Sequence, residues 1–424
     1  MARNRGEDKM TAIRNSILTS PMTMVPNDAD ASGRSFGEDD IRLLREVLDR
    51  GVLISQYGKV TPALEKAFAE WCGMPFCTAV ASGTAALHCA IAAVDPKPGD
   101  EIISSPITDM GAVMPILCQG AVPVFADVDP VTCNVTAETI AARISPRTRA
   151  IIVTHLFGLA CDMDPIMALA KKHGILVIED AAQAFGATDK GRKVGTIGDI
   201  GCFSLQQGKH ITCGEGGLVV TRDEARARFI KLFHDKGWGF GDAQPDHEFL
   251  ALNYRMTELQ AAVTMAQLPR LDEFVARRRE LAARLTARLA PVEGIICPPD
   301  SEECAHVYWR YSIRIVEPLT GAVLDRMSNA LRRIGARTAP RYTQKLAFEY
   351  GFLRNRKMFG GSGFPFTYEC RRGGIELRYD RAFYPGAVDG LNHLLCIGWN
   401  ERYDESVVDL IATTILRSLK EDAE

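Results

Sequence analysis

One lysine of this chain stands where lysine is seldom found. Lys209 follows the apolar run Ile200–Gln206 and precedes a glycine cluster, within GCFSLQQGKHITCGEGGLVVT (201–221). The pattern predicts a strand, a turn carrying Lys209, and a second strand over Gly217–Thr221. An amine held at the end of an apolar strand loses solvation and can keep a depressed pKa. It then acts as a nucleophile toward a carbonyl carbon. Asp180 ends a second apolar run, ILVIED (175–180), where a carboxylate is costly without a cation or hydrogen-bond donors. Gln183, three residues on, faces the same space if a helical turn begins there. Ser82-Gly83-Thr84 closes a short strand, Phe76–Val80, and opens the helix-forming stretch Ala85–Val94. Free N–H groups at such a turn suit an anion, a phosphate in particular. Each residue also has an ordinary reading: a solvated charge for Lys209, an N-cap for Asp180 or Ser82, a surface amide for Gln183.

The elements around these residues alternate. Strands are expected at 101–105, 121–126, 150–155 and 175–179, with helices over 109–119, 137–144 and 165–173 between them. That rhythm predicts an α/β fold with a mostly parallel sheet covered on both faces. Ligands gather beyond the carboxyl ends of such strands, which is where Ser82, His155, Asp180 and Lys209 fall. His155 reads as a satisfied, half-buried histidine, since no partner at metal-ligand spacing is near, and no metal site is expected. One long helix is expected from Thr257, preceded by Asn253 and Arg255. PVEGIICPP (291–299) breaks the pattern. The domains are therefore drawn as an N-terminal extension (1–34), a large domain (35–290) and a smaller C-terminal α+β domain (291–424). The last begins with a strand over 306–316 and ends with a helix over 406–419.

Composition narrows the function classes. Of 424 residues, 46% are apolar and 24% charged, as in an ordinary globular protein, and the length favours two domains. A net charge of −3 gives no basic surface for nucleic acid or anionic membrane. No apolar run reaches the ~18 residues of a membrane span. The N-terminal stretch carries no signal-peptide pattern, so a cytoplasmic location is expected. The 12 cysteines form no C-x-x-C pair and read as free thiols.

Together the lysine, the upstream aspartate and the phosphate turn are the parts that pyridoxal 5′-phosphate (PLP) chemistry needs. A lysine forms the Schiff base, an acid faces the pyridine nitrogen, and an anion site holds the phosphate. The motifs ASGTAALHCAI (81–91), IEDAAQAFGA (178–187), GTIGDIGCFSLQQGKHITCGEGGLVVT (195–221) and LNYRMTELQAA (252–262) resemble those of DegT/StrS-type sugar aminotransferases, within fold type I of the PLP enzymes. The resemblance spans roughly 36–420. It implies that Lys209 is the Schiff-base lysine and proton shuttle, that Asp180 pairs with the pyridine nitrogen, and that Gln183 lies near the ring hydroxyl. Gly83, Thr84 and Ser204 would bind phosphate. Asn253 would reach the phosphate of a neighbouring subunit, which implies a homodimer with shared sites. Many relatives stack an aromatic residue on the ring; the aligned residue here is Met110, preceded by Asp109.

The implied reaction moves an amino group from glutamate or glutamine to a keto sugar or ketocyclitol. The form of the lysine motif, with SPITDMG (105–111), resembles two branches. One makes aminocyclitols from scyllo-inosose-type ketones, and the other aminates C8 of an eight-carbon keto sugar acid. His306 and Tyr342 are candidates for the acceptor pocket. Two alternatives stand beside this reading. In a PLP-dependent sugar dehydratase of the same fold, histidine replaces the lysine. A catalytically silent, regulatory member would not need Lys209, Asp180 and the phosphate turn intact.

Overall fold

The computed structural model describes residues 25–319, 321–367 and 373–419. The N-terminal stretch read for targeting signals lies outside them up to residue 24. Strands run in chain order β1 (Phe76–Val80), β2 (Glu101–Ser104), β3 (Val122–Phe125), β4 (Thr148–Thr154), β5 (Leu176–Asp180), the short hairpin β6–β7 (Thr188–Asp189 and Arg192–Lys193), β8 (Ile200–Ser204) and β9 (Gly217–Thr221). Seven of them form one sheet in the order β1-β9-β8-β5-β4-β2-β3. Neighbours from β3 to β8 pair in parallel, and β9 runs antiparallel to both β8 and β1. This is the mostly parallel sheet that the alternating pattern predicts.

The central strands are apolar throughout because both faces are covered. On one face the helix Gly83–Ala92 buries Ala86, Ala90 and Ile91 against Ile102, Ile152, Ile178 and Val219. On the other, Leu64 and Phe68 of the helix Val60–Cys72 and Ala261 of the helix Glu258–Gln267 meet Phe185, Phe203 and Leu218.

The single long helix expected from Thr257 is two helices. Thr257 and Gln260 close a capping box on the first, as its sequence implies. Pro269 then sits in a 3-10 turn (Leu268–Arg270), where its missing N–H interrupts the ladder, and the second helix runs over Leu271–Leu289. That second helix begins in the core of the main sheet at Leu271 and Phe274 and ends in a second core at Leu281, Leu285 and Leu289. The line drawn at 290 thus falls at the end of a helix that both cores share. The second core backs a four-stranded antiparallel sheet of β10 (Ile295–Ile296), β11 (Arg310–Ile315), β12 (Thr338–Pro340) and β13 (Leu394–Gly398), in the order β10-β11-β13-β12.

Two other expected elements are shorter. The helix expected over 109–119 is a 3-10 turn at Met110–Ala112, capped by Asp109, followed by a helix at Met114–Cys118. The strand expected from 306 begins only at Arg310, because Tyr308 holds φ +47 and breaks the extended run. The described part of the N-terminal extension packs on its own chain, where Asp28 and Arg34 are buried. None of the described cysteines forms a disulfide. No helix among the described residues is long and apolar enough to cross a membrane.

Candidate active site

A cleft of about 360 Å³ opens at the carboxyl ends of β5 and β8. Gly83, Thr84, Asp180, Gln183, Ser204, Lys209 and Tyr342 all line it, although they span most of the chain. Ser82 caps the helix Gly83–Ala92 by accepting the Ala85 N–H at 3.0 Å. The first amides of that helix remain free to face an anion. The turn fits closely against the strands behind it. A Cβ on Gly83 would lie 2.7 Å from Ser204 Cβ, and one on Gly217 would lie 2.4 Å from the Ser82 carbonyl oxygen. Glycine is therefore required where β9 begins, beside the Ser82–Thr84 turn.

Asp180 ends β5 as a buried carboxylate. Its Oδ1 accepts the Ala182 N–H at 3.2 Å, and its Oδ2 has the Thr154 hydroxyl at 3.4 Å. Burial raises its pKa; the Ala182 amide and the cation of Lys209 oppose the rise. Gln183 is fixed at both ends of its amide. Its Oε1 accepts the Phe157 N–H at 2.8 Å, and its Nε2 donates to the Tyr342 hydroxyl at 3.3 Å. Tyr342 in turn sets its ring edge-on to Phe157.

Lys209 carries the amine. Its Nζ lies 4.4 Å from the centre of the Trp309 ring and, among the described residues, has no hydrogen-bond acceptor or ion-pair partner. Burial lowers the amine to about 8; Asp180 and Asp109 work against that and Arg310 adds to it. A fraction of the amine is thus neutral near neutral pH, the form that attacks a carbonyl carbon. The turn around it is pinned on all sides. The Gly208 carbonyl accepts from Trp309 Nε1 at 2.7 Å, the Gly208 N–H donates to Gln206 Oε1 at 2.8 Å, and the Lys209 N–H donates to the Gln206 carbonyl at 2.9 Å.

Three candidates lie elsewhere. Met110 does not line the cleft; its half-buried side chain packs against the main hydrophobic core, and Asp109 and Gly111 stand at the cleft in its place. His306 is buried outside it. Its Nδ1 accepts the Tyr308 N–H at 2.8 Å, its ring stacks on Tyr308 at 4.1 Å, and burial lowers it to about 3. Asn253 is exposed, away from this cleft, and its Oδ1 accepts the Arg255 N–H at 3.2 Å. Sequence reasoning did not single out Gln206, Glu215 and Trp309, which also line the cleft. Trp309 lies in the aromatic run HVYWRYSIRIV, the one signal that could have marked it, and in the structure it directly precedes β11.

A larger cavity, about 550 Å³, lies between Asp162, Lys190, Asp189 and Cys304. Its ammonium is already paired, Lys190 Nζ lying 3.0 Å from Asp162 and 2.8 Å from Asp164. The smaller cleft is the one with an unpaired amine, a buried carboxylate and free helix amides. That donor set matches an aldehyde, a ring nitrogen and a phosphate on one small molecule, and so fits PLP.

Residues 34–388 match the DegT/DnrJ/EryC1/StrS aminotransferase family. The chain belongs to this family. The aminotransferase is 39% identical over 324 residues to the GDP-perosamine synthase of Caulobacter vibrioides, covering 75% of this chain and 85% of that one. Among solved structures it superposes on an aminotransferase from Psychrobacter cryohalolentis with a TM-score of 0.77 at 30% identity, covering 92% of this chain and 99% of that one. It also superposes on 3-amino-5-hydroxybenzoic acid synthase with a TM-score of 0.80 at 26% identity, covering 95% and 100%. The aminotransferase is therefore a PLP-dependent enzyme of the sugar-aminotransferase type with the fold type I architecture.

Proposed function

We propose that this aminotransferase moves the amino group of glutamate or glutamine to a keto sugar, in amino-sugar biosynthesis. The observation that carries the reading is the unpaired amine of Lys209 in the cleft with Asp180 and the helix amides of Gly83 and Thr84. When bound, PLP supplies an electron sink for the bond broken at the donor's Cα. Lys209 would hold the cofactor through its aldehyde carbon and, when free, would carry the proton at Cα. Asp180 would keep the ring nitrogen protonated, Gln183 would meet the ring hydroxyl, and Gly83, Thr84 and Ser204 would take the phosphate. The 39% identity to an enzyme named for a GDP-linked sugar favours a hexose acceptor over a ketocyclitol or an eight-carbon keto acid.

The enzyme is further proposed to work as a homodimer in which Asn253 enters the partner's cleft. Apolar side chains around Asn253 support this: Ile54, Tyr57, Phe240, Leu250 and Leu252 are all exposed, and Leu250 is 93% so. Ile54 pairs with Thr257, Asn253 pairs with Asp235, and Tyr57 meets Phe240 ring to ring.

The test is acceptor-dependent turnover by purified protein supplied with PLP. Glutamate and glutamine are each paired with a nucleotide-linked keto hexose, a scyllo-inosose-type ketone and an eight-carbon keto sugar acid. Turnover with the hexose supports the reading. Turnover with only the ketocyclitol or the keto acid replaces the acceptor. No amino transfer to any of them, from protein that binds PLP, sinks it.

A further inference from the structure

The N-terminal segment 25–34 lies along the chain with Val25, Asp28 and Arg34 buried and Ala29 and Ala31 exposed, and it ends against the lysine turn. Arg34 and Asp28 form an ion pair at 3.1 Å, and both side chains are only 3% exposed. Three groups of the Arg34 guanidinium are spent in this one place. Nη2 faces Asp28 Oδ1, Nε donates to the Asp28 carbonyl at 3.2 Å, and Nη1 donates to the carbonyl oxygen of Lys209 at 2.9 Å. Gln207, two residues before the lysine, donates from its side chain to the Asp28 carbonyl at 2.8 Å. The other half of Asp28 reaches the small sheet. Its Oδ2 lies 3.1 Å from Arg310 Nη1 and its Oδ1 accepts from Asn400 Nδ2 at 2.6 Å. Arg310 lies over the Trp309 ring that also carries the Lys209 amine.

A buried arginine with a carboxylate partner is by itself weak evidence of stabilisation, since desolvation offsets the attraction. What distinguishes this pair is where its third bond goes. The groups around the turn are held by the turn itself, by Trp309 and by the strap. Arg34 is the side chain that satisfies the reactive residue's own carbonyl. A planar guanidinium can meet the carboxylate and that carbonyl together; a primary ammonium cannot reproduce the fork.

We propose that Arg34 is a positioning residue for Lys209, and that the strap 25–34 with Asp28 at its centre sets the lysine turn against both sheets. This rests on Lys209 being the reactive amine. The strap fixes where the amine stands relative to Asp180 and Trp309, and so how deeply it is desolvated. The charged groups that act on the amine are Asp180 at the end of β5, Arg310 from β11 and Asp109 from the turn before Met110. None of them is removed by a change at Arg34.

The test compares full-length wild type with Arg34→Lys, Arg34→Ala and Gln207→Ala, and uses Arg284→Ala, in an exposed ion pair with Asp409, as control. Two quantities are read. One is the midpoint of Lys209 acetylation against pH in cofactor-free protein, followed by mass spectrometry. The other is PLP affinity by titration. Wild type is expected to titrate at about 8. Arg34→Lys is expected to raise the midpoint by about half a unit or more and to weaken PLP binding by about tenfold, as for loss of a charge-assisted hydrogen bond. Added guanidinium ion restores both in Arg34→Ala. Gln207→Ala shifts both the same way and less, and it buries no charge, so it decides the matter if neither Arg34 variant folds. A lower melting temperature with an unmoved midpoint and unmoved affinity makes the strap merely structural and overturns the proposal. A wild-type Lys209 that neither titrates low nor forms a borohydride-reducible adduct with PLP overturns instead the reading it rests on.

Discussion

Lys209 and Arg310 lie against the same indole. The lysine Nζ is 4.4 Å and the arginine Cζ 4.5 Å from the centre of the Trp309 ring. An aromatic face attracts each cation, and the two cations repel each other across it. Burial and Arg310 together hold the Lys209 amine well below its ordinary value, while Asp180 draws it back up. The setting of this amine is therefore made by two sheets at once: the turn after β8 carries the lysine, and the entry to β11 supplies the ring and the second cation.

That depressed amine has a measurable stability consequence. Its folded pKa is about 8 against an ordinary 10.5, so the unfolded chain binds more protons between those values. The cost of charging a desolvated amine is fully present below about 8 and disappears above 10.5. Cofactor-free Lys209→Met should accordingly be more stable than wild type at pH 7, with the gain shrinking by pH 10. Urea unfolding at the two pH values checks this. A gain that is the same at both assigns it to packing rather than charge. The same variant should lose amino transfer altogether.

Asp180 should behave as a group kept for chemistry at a cost to the cofactor-free fold. Its carboxyl is raised by burial, so ionising it opposes folding as pH rises above the ordinary carboxylate range. Asp180→Asn is expected to leave the cofactor-free protein at least as stable at pH 7, with the advantage fading as the pH is lowered through the carboxylate range. Turnover should fall by about 10²-fold or more, because an amide cannot hold the ring nitrogen protonated. Retained turnover would remove Asp180 from the site.

Gly83→Ala tests the phosphate turn. The new methyl would lie 2.7 Å from Ser204 Cβ and 2.9 Å from its Oγ, and Ser204 sits in the fully buried strand β8. Forcing an atom into such a contact costs about 1–3 kcal/mol, so PLP affinity should drop by about tenfold or more. Ser204→Gly in the same chain frees that space and should recover the lost thermal stability. Unchanged PLP affinity in Gly83→Ala would place the phosphate elsewhere.

Much of this site is legible in the sequence because its parts are local. Lys209, Asp180 and the Ser82–Thr84 turn each end a buried strand, and a parallel sheet gathers strand ends on one edge. What is illegible comes from far along the chain. Arg34 meets a carbonyl 175 positions away, and nothing in its own neighbourhood, ASGRSFG, marks it. His306 reads as a candidate pocket residue within the strand expected over 306–316, yet the left-handed Tyr308 folds it back into its own loop and delivers Trp309 to the cleft instead. Met110 fails by one position for a local reason: Asp109 caps a 3-10 turn by accepting the Gly111 N–H at 2.8 Å, and the turn sends the thioether against the core. Pro269 was visible in the sequence, but the continuous apolar periodicity across it hid the break between two helices.

Glu179 precedes Asp180 and carries the opposite duty. Successive strand residues face opposite sides of a sheet, so one of the pair meets the cleft and the other the interior. The Glu179 side chain is fully buried, and its oxygens accept the N–H groups of Gly195 at 2.8 Å and of Ile197 and Gly198 at 2.6 Å, with His155 Nε2 at 2.9 Å. Burial pushes this carboxyl up, and the imidazole and the amides outweigh that and hold it low. Four donors converge on a group that only accepts, so an amide in its place would turn its own N–H groups toward them. Glu179→Gln should therefore cost about 3–5 kcal/mol of stability, as expected when a buried, fully hydrogen-bonded charge is broken. Because the folded pKa is lowered, that stabilisation belongs to the pH range above the ordinary carboxylate value and is lost as pH falls through the folded one. The difference between Glu179→Gln and wild type in urea unfolding should thus narrow on acidification. A loss below about 1 kcal/mol at pH 7 would show that the loop 195–198 is held by other contacts.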